Sequence, residues 1–291
     1  MIVVRLQGGL GNQMFQYAYG CALAHRGRKV VFDRSSYATD TLRDYELDVW
    51  QTEVPTLPAS QLGRLPKRYG GNGKLAWLRG QRPLSLRTEK PLGFHARWNQ
   101  PADNTYLSGY WQSEAFFKNC SGLLRQHFQP RQPLARPARQ MLAEIEAGNS
   151  VAVHVRRTDY LQLPEMQVCD EQYHRRCVQQ LLESEGPMTA FVFSDEPAWC
   201  RDHLGLPCDT RVVDDNVTGD AWQQLWLMSR CRHHVIPNST FSWWAAWLKP
   251  DPTGKTFAPD RWWNDPAKSD AGIVPAEWIK MPGRAATRRA A

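Results

Sequence analysis

The stretch MIVVRLQGGLGNQMFQYAYGCALAHRGRKVVFD, residues 1–33, decides the fold class. Residues 2–4 are uniformly apolar and predict a buried strand, and residues 29–32 predict a second one. Between them lie a glycine-rich turn at residues 8–11 and apolar side chains at helical spacing over residues 13–26. This strand–turn–helix–strand order, with apolar strands, is typical of a parallel sheet covered by helices. The chain is therefore predicted to be an α/β protein.

The same alternation returns in the second half of the chain. Strands are predicted at residues 150–155, 189–194, 211–213, 234–236 and 255–258, and helices at residues 138–146, 169–183, 196–204, 220–230 and 242–248. We therefore predict two Rossmann-like domains, residues 1–148 and 149–291, with a ligand in the cleft beside the strand carboxyl ends. Residues 37–101, rich in Pro, Gly and Trp, yield no predicted elements.

The composition excludes several classes of protein. With 291 residues, 42% hydrophobic and 22% charged, the chain has enough apolar material for a sizeable core and is not a disordered chain. No apolar run approaches the roughly 18–20 residues of a membrane span. The short apolar start before Arg5 lacks a signal-peptide cleavage site, so we expect a cytoplasmic protein. Seven scattered cysteines without a C-x-x-C pair are expected to be free thiols.

The charge is moderately basic. Lys and Arg number 36 against 29 Asp and Glu, a net +7, and part of the surplus lies in the tail GRAATRRAA, residues 283–291. Basic clusters interleaved with aromatics are not apparent, so no nucleic-acid partner is expected. The surplus suits an ordinary solvated surface, or attraction to an anionic ligand or membrane surface.

The glycine-rich turn GGLGNQ, residues 8–13, lies between a predicted strand and helix. Glycines let the backbone approach a ligand closely, and helix N-terminal amides favour an anion. Residue 14 is Met, so the third glycine of the dinucleotide fingerprint is missing, and no Gly-Lys-Ser/Thr follows. The turn is either a ligand contact or a tight strand-to-helix connection.

The segment HVRRTDY, residues 154–160, follows the strand predicted at 150–155. Alternation along a strand turns His154 and Arg156 to one side and Arg157 to the other. A guanidinium group binds phosphate bidentately, so Arg156 suits a pyrophosphate. The alternative is a structural ion pair with Asp159.

Two further loops follow strands. In FSDEPAW, residues 193–199, Asp195 is either a helix cap or a ligand contact. In NSTFSWW, residues 238–244, small hydroxyl residues before an apolar helix either donate to a phosphate or cap that helix. Carboxylate pairs suited to Mg²⁺ do not stand out. These loops together favour an enzyme that stabilises a leaving nucleotide diphosphate by charge, without a metal.

Five motifs together resemble glycosyltransferase family 11, the α-1,2-fucosyltransferases; in order they are GGLGNQMFQYA (8–18), GYWQSEAFF (109–117), HVRRTDYL (154–161), FSDEPAW (193–199) and LMSRCRHHVIPNSTFSWWAAWL (227–248). The resemblance implies a GT-B-type fold with two Rossmann-like domains facing a central cleft, and a last helix that packs back on the N-terminal domain. It also implies an inverting, metal-independent transfer from GDP-β-L-fucose to the 2-hydroxyl of a terminal β-galactoside, without any cofactor. The chain resembles the bacterial members, which build O-antigen or capsule glycans, and this implies a lipid-linked acceptor and at most peripheral contact with the inner membrane.

The resemblance also assigns roles to residues. Arg156 matches the arginine that holds the β-phosphate of GDP, and His154 lies at the nucleotide. The remaining donor-binding positions implied by the resemblance are Gly9, Gly11, Asn12, Gln13, Asp195, Gln224, Asn238, Ser239, Thr240 and Phe241. Arg157 matches a second arginine with a structural role. The chain departs from the family at Gln224, where relatives often carry an Asp that helps to read guanine, and at Pro237. Asp220, one helical turn before Gln224, is the candidate to replace that carboxylate.

The catalytic base and the exact reaction stay open at the level of sequence. Asp159, Asp195, Glu114 and Asp33 are the candidates for the base that takes the hydroxyl proton. Transfer of another GDP-sugar, or formation of another linkage, is one alternative function. A non-catalytic glycan-binding protein that uses its 13 tryptophans is the other.

Overall fold

The computed structural model describes residues 1–268 and 272–284 of the chain. These residues form two compact units, one of residues 1–131 with 272–273 and the other of residues 132–268 with 274–284. The division falls before the predicted boundary at 148/149, because helix α4 (Arg136–Glu146) packs against helices of the second unit. The basic tail after residue 284 and the predicted last helix lie outside the described residues.

The first unit is built on a parallel sheet of four strands, in the order β2-β1-β4-β3. Its strands are β1 (Ile2–Arg5), β2 (Val30–Asp33), β3 (Ser85–Thr88) and β4 (Thr105–Ser108). Its helices are α1 (Leu10–His25), α2 (Gly73–Leu78) and α3 (Ser121–His127). The central strand β1 is buried from Ile2 to Val4, as expected for a strand covered on both faces.

The second unit is built on a parallel sheet of six strands, in the order β10-β9-β8-β5-β6-β7. Its strands are β5 (Ser150–Val155), β6 (Thr189–Ser194), β7 (Asp209–Val213), β8 (His233–Val235), β9 (Thr256–Pro259) and β10 (Ile279–Met281). After α4 its helices are α5 (Glu171–Glu185), α6 (Pro197–His203), α7 (Asp215–Thr218), α8 (Ala221–Arg230) and α9 (Thr240–Leu248). Counted within the unit, this is the 3-2-1-4-5-6 order of a Rossmann fold.

Short 3₁₀ turns connect these elements at Ser35–Ala38, Leu47–Val49, Ala59–Arg64, Lys67–Tyr69, Ala96–Asn99, Glu114–Phe116, Lys118–Cys120, Tyr160–Gln162 and Pro164–Met166. The core of the second unit lies between β5, β6 and α5. Val153, Val192, Tyr173 and Leu181 pack together there with no exposed surface. The cysteines in the described residues are free thiols.

The predicted α/β class and the two Rossmann-like units of a GT-B-type chain are confirmed by these sheets. The strands and helices predicted between residues 2 and 258 all exist, with ends shifted by a few residues at most. The elements that no pattern predicted are β3 and β4, together with α2, which lie at or next to the irregular stretch, and α3, α7 and β10. The strand β3 is exposed along its whole length, so it has no apolar alternation to reveal it.

Candidate functional site

The switch point of the second sheet lies between β5 and β8, the two strands from which the chain winds in opposite directions. In open α/β sheets, ligands bind in the crevice outside the strand carboxyl ends at such a point. The loops after β5, β6 and β8 begin at Arg156, Asp195 and Ile236, and β5 pairs with both of the other strands. Three of the five sequence motifs therefore meet at this edge.

Arg156 lies at the centre of this edge. Its Nε donates to Asp159 Oδ1 at 2.8 Å and lies 3.3 Å from Asp195 Oδ2. Its guanidinium carbon is 5.9 Å from the centre of the Tyr160 ring. Burial opposes the charge, but the hydrogen bond to Asp159 and the charge of Asp195 outweigh burial and raise the pKa of Arg156. The two carboxylates thus orient a fully charged, half-buried guanidinium group.

Asp195 binds the loop that follows β5. It accepts hydrogen bonds from the backbone N–H of Arg157 at 3.0 Å, and from the N–H of Thr158 at 3.1 Å and its hydroxyl at 2.5 Å. Asp195 does not cap α6, because Glu196 occupies the N-cap position. Its carboxylate instead holds the backbone of Arg157 and Thr158, directly after Arg156.

Arg157 has an acidic and an aromatic partner of its own, different from the partners of Arg156. Its Nε donates to Glu196 Oε2 at 2.6 Å, and its guanidinium carbon lies 3.6 Å from the centre of the Trp199 ring. A stacked and paired arginine of this kind ties the β5 loop to α6. This geometry agrees with the structural role that the resemblance implies for Arg157.

His154 is buried under the same edge, with a side chain only 6% exposed. Its Nδ1 lies 2.9 Å from Ser242 Oγ on α9, and its ring contacts Phe241 at 5.8 Å between centroids. Burial lowers the pKa of His154 to about 3, and the positive charge of Arg156 acts in the same direction. The imidazole is therefore neutral at physiological pH and joins β5 to the first turn of α9.

The loop from Pro237 to Ser239 leads from β8 into α9. Asn238 is 1% exposed, and its side-chain amide donates to the carbonyls of Met166 at 3.1 Å and Trp262 at 3.0 Å. The Tyr160 hydroxyl donates to the Asn238 carbonyl at 3.0 Å. Asn238 thus links its own loop to the segments at Met166 and Trp262 by hydrogen bonds.

Helix α9 begins at Thr240, with Ser239 at the N-cap. The side chain of Ser239 makes no capping hydrogen bond, so it does not occupy the first-turn N–H groups of the helix. Such groups favour a negative charge, because they carry the positive end of the helix dipole. Phe241, in this first turn, is partly buried against His154.

A cavity of about 270 Å³ opens at the switch point. This volume is just below the roughly 300–1,000 Å³ of typical ligand pockets. The lining includes Val155, Arg156, Arg157, Tyr160, Asp170, His174, Trp199, Pro237, Asn238 and Arg284. Two of its arginines have acidic partners, as described above, whereas no ion pair of Arg284 is found within the described part of the chain. Arg284 was missed by the sequence analysis, although the basic composition of the tail was the available signal.

Gln224 is the fourth residue of helix α8. Its amide donates to Asp215 Oδ1 at 3.3 Å. The carboxylate of Asp215, on α7, therefore lies beside the Gln224 side chain. The carboxylate expected from the sequence was instead that of Asp220, which in the structure is the N-cap residue of α8.

In the first unit, the glycine-rich turn lies at the carboxyl end of β1. Gly8 has a positive φ of 78°, and an added Cβ there would lie 2.8 Å from Asn12 Nδ2. Asn12 Oδ1 accepts a hydrogen bond from Gln112 Nε2 at 2.8 Å, which links the motifs at residues 8–18 and 109–117. Gly9 is the N-cap of α1, and Gly11 lies in the first turn.

Gln13 has no exposed surface. Its amide donates to the carbonyls of Gly8 and Asp44, and its Oε1 accepts from the N–H of Glu46 at 2.9 Å. These contacts fix the loop after β2 against the glycine-rich turn. They are scaffolding contacts within the first unit.

Among the proposed bases, Asp33 is 5% exposed, and both its oxygens accept hydrogen bonds, from Ser35 N–H at 2.9 Å and the Tyr106 hydroxyl at 2.7 Å. Glu114 begins the 3₁₀ turn after Ser113. With Asp159 and Asp195 in the second unit, the four candidates are thus divided between the two units. Within residues 1–268 and 272–284, no three His, Cys, Asp or Glu side chains form a group that would hold a metal ion.

Comparison with known proteins gives matches along most of the chain. The family model "Glycosyl transferase family 11" matches residues 88–282. An α-1,2-colitosyltransferase of Escherichia coli is 30% identical, covering 97% of this chain and 99% of that protein. The O-antigen biosynthesis glycosyltransferase WbnK of Escherichia coli is 24% identical, covering 95% and 99%. Galactoside α-(1,2)-fucosyltransferase 2 of Oryctolagus cuniculus is 25% identical, covering 96% and 76%.

Proposed function

Because the chain belongs to glycosyltransferase family 11, we propose that it transfers L-fucose from GDP-β-L-fucose to the 2-hydroxyl of a terminal β-galactoside. The observation that carries the proposal is the position of Arg156, a charged guanidinium group at the switch point, in the same cavity lining as Pro237 and Asn238 of the loop that leads into α9. A diphosphate is the ligand that this combination favours, because a guanidinium fork and helix amides both suit phosphate oxygens.

The reaction is a single displacement. The galactose 2-hydroxyl oxygen attacks the anomeric carbon of fucose as the bond from that carbon to the GDP oxygen breaks, and the configuration inverts. The electron pair of the broken bond passes to the β-phosphate, where Arg156 stabilises the developing negative charge. The hydroxyl proton passes to a carboxylate, for which Asp33, Glu114, Asp159 and Asp195 remain the four candidates.

Charge in the cavity supports a metal-independent reaction. Arg156 is held by two carboxylates, and Arg284 adds a cation to the same lining. In metal-dependent transferases a metal ion offsets the negative charge of the diphosphate. Here the second cation, Arg284, takes that role. Asp215 beside Gln224 supplies a carboxylate that accepts from the N–H groups of guanine, in place of the Asp that relatives carry.

The donor sugar has a second candidate, colitose, because a relative at 30% identity is named a colitosyltransferase. Colitose is L-fucose without its 3-hydroxyl group, so both donors present the same diphosphate to Arg156. A site that hydrogen-bonds the 3-hydroxyl discriminates against the deoxy sugar, because its polar groups are otherwise left unpaired.

Product analysis tests the proposal. The protein is incubated with GDP-fucose or GDP-colitose and a β-galactoside, and the linkage of the purified product is determined by NMR. We expect fucose on the galactose 2-oxygen and no product with a matched 2-deoxygalactoside. A product linked at another hydroxyl, or transfer from GDP-colitose alone, would contradict the proposed activity.

The physiological acceptor we propose is a lipid-linked glycan of O-antigen or capsule synthesis, handled by a cytoplasmic protein at the inner membrane. One relative named for O-antigen biosynthesis supports this role. No helix within the described residues is long and apolar enough to span a bilayer.

A further inference from the structure

One surface of the first unit is both strongly basic and locally apolar. From residue 54 to residue 102 the sequence has nine Lys or Arg and a single acidic residue, Glu89, which is 4% exposed and therefore buried. In the same stretch, helix α2 exposes 76% of Trp77 and 73% of Leu78. We call Leu75, Trp77 and Leu78 the apolar tip, and the exposed Lys67, Arg68, Lys74, Arg79, Arg82, Arg87 and Lys90 of the same stretch the basic face.

The apolar tip lies on a helix that the rest of the first unit holds in place. Helix α2 buries only Ala76, and its N-terminus is capped by Asn72 Oδ1, which accepts from the Leu75 N–H at 3.2 Å. Behind the helix, the Arg79 guanidinium donates to the Ser60 carbonyl at 3.2 Å. The helix is thus fixed on its inner side, and its large apolar side chains face solvent. Exposed tryptophan at this level is unusual on a surface without a binding role.

The cations of the basic face are available to an anionic partner. Over residues 1–268 and 272–284, no salt bridge joins any of them to a carboxylate, whereas Arg156, Arg157 and Arg201 of the second unit are all paired. The stretch carries a net charge of +8, nine cations less one acid, against +7 for the whole chain. The charge surplus of the protein is therefore concentrated here and not spread evenly.

We propose that this surface docks the protein on an anionic lipid bilayer, with the apolar tip in the headgroup–acyl boundary and the basic face against the lipid phosphates. Lys and Arg next to an anionic leaflet each contribute attraction, and tryptophan prefers the membrane interface. Stable anchoring needs two signals, and this surface supplies both an apolar insertion and a polybasic patch.

A bilayer fits this surface better than a nucleic acid does. Single-stranded nucleic acids bind several aromatic side chains on which bases stack, whereas the apolar tip has one aromatic ring and two leucines. Leucine side chains gain by leaving water for hydrocarbon and have no face on which a base stacks. The experiment therefore also measures binding of an oligonucleotide, as the competing partner.

The experiment is co-sedimentation of the full chain with vesicles of phosphatidylcholine, alone or mixed with phosphatidylglycerol. We expect binding only to the mixed vesicles, and weaker binding as salt is raised. The double variant Lys74→Gln/Arg82→Gln should bind about tenfold to thirtyfold more weakly. Trp77→Ser/Leu78→Ser should also lose at least about tenfold, because it removes the inserted side chains.

Matched controls separate this surface from general basicity. Arg136→Gln/Arg139→Gln removes two exposed cations of the second unit, and Leu42→Ser removes a leucine that is 84% exposed. Both should bind as the wild type does, and circular dichroism checks that every variant is folded. The proposal is overturned if the wild-type protein does not bind the mixed vesicles. It is also overturned if the variants and their controls lose vesicle binding equally. It is also overturned if an oligonucleotide binds more tightly than the vesicles and Trp77→Ser/Leu78→Ser leaves oligonucleotide binding unchanged.

Discussion

At the scale of single residues, Arg156 carries the proposed chemistry. Arg156→Ala should lower kcat/KM by at least about 100-fold, the usual effect of losing one preorganised group that stabilises charge. Initial rates with GDP-fucose and a β-galactoside measure this change. Arg139→Ala, which removes an exposed arginine of the same unit, should leave kcat/KM unchanged. Near-normal turnover in a folded Arg156→Ala protein would contradict the assignment.

The buried histidines predict how stability depends on pH. Burial lowers the pKa of His154 and of His234 to about 3, against about 6.5 in the unfolded chain. Between these two values the unfolded state binds more protons, so stability rises with pH and is complete above about 6.5. At pH about 5 each histidine should cost about 2 kcal/mol of the free energy of unfolding.

Urea unfolding at pH about 5 and about 7 measures this dependence. His234→Gln should make the free energy of unfolding less dependent on pH, whereas His25→Gln, at an exposed position, should not. An unchanged slope in the His234 variant would show that this imidazole does not stay neutral in the fold.

Residue roles were predictable from sequence where a residue type has one dominant chemistry. Arg156, a guanidinium group at a strand carboxyl end, is one such residue, and in the structure it lines the cavity at the switch point. The roles of Asp195 and Gln13 were not predictable, because both act through backbone groups 30 or more positions away. Sequence spacing contains no information about such contacts.

At the scale of elements, the glycine-rich turn offers a controlled test. Gly8→Ala should lower the free energy of unfolding by about 1 kcal/mol for its positive φ and by more for the contact with Asn12. Gly27→Ala is the matched control, because Gly27 has a φ of 79° and an added Cβ there meets nothing within 4 Å. Thermal unfolding and the KM for the donor are measured for both. A KM that changes equally in both variants would argue against a role for Asn12 in donor binding.

The loop after β5 depends on Asp195 for its position. Asp195→Asn weakens charge-assisted hydrogen bonds to Arg156 and to the loop backbone, each worth about 1.5–3 kcal/mol. We expect kcat/KM to fall by about tenfold to 100-fold, and the optimum of the pH–rate profile to stay in place. A shift of the basic or acidic limb of that profile would instead indicate that Asp195 is itself the base.

The predictability of the elements follows their burial. The strands β5 and β6 are almost fully buried and were predicted with their observed ends. The exposed edge strand β3 and the six-residue helix α2, which buries only Ala76, have neither alternation nor helical periodicity. The basic face and apolar tip lie in this same stretch. Their residues are visible in the sequence, contrary to the expectation of no basic cluster with aromatic side chains, but the exposure of Trp77 and Leu78 is not.

At the scale of the whole molecule, the duplicated α/β order and the ordered motifs were enough to predict two Rossmann-like units and the family. The unit boundary was less predictable, because the amphipathic helix α4 follows a proline-rich segment and packs on α8 through contacts that sequence does not reveal. The acceptor depends on surfaces outside the shared motifs, so its identity needs experiment.

The most direct test of the account is the release of GDP from GDP-fucose by the purified protein, in EDTA, with and without a β-galactoside. We predict release that depends on the acceptor and has the same rate after Mg²⁺ or Mn²⁺ is added, because charge compensation comes from arginine and the α9 amides. Release that begins only when the metal is restored, or no release with any β-galactoside, would contradict a metal-independent transfer centred on Arg156.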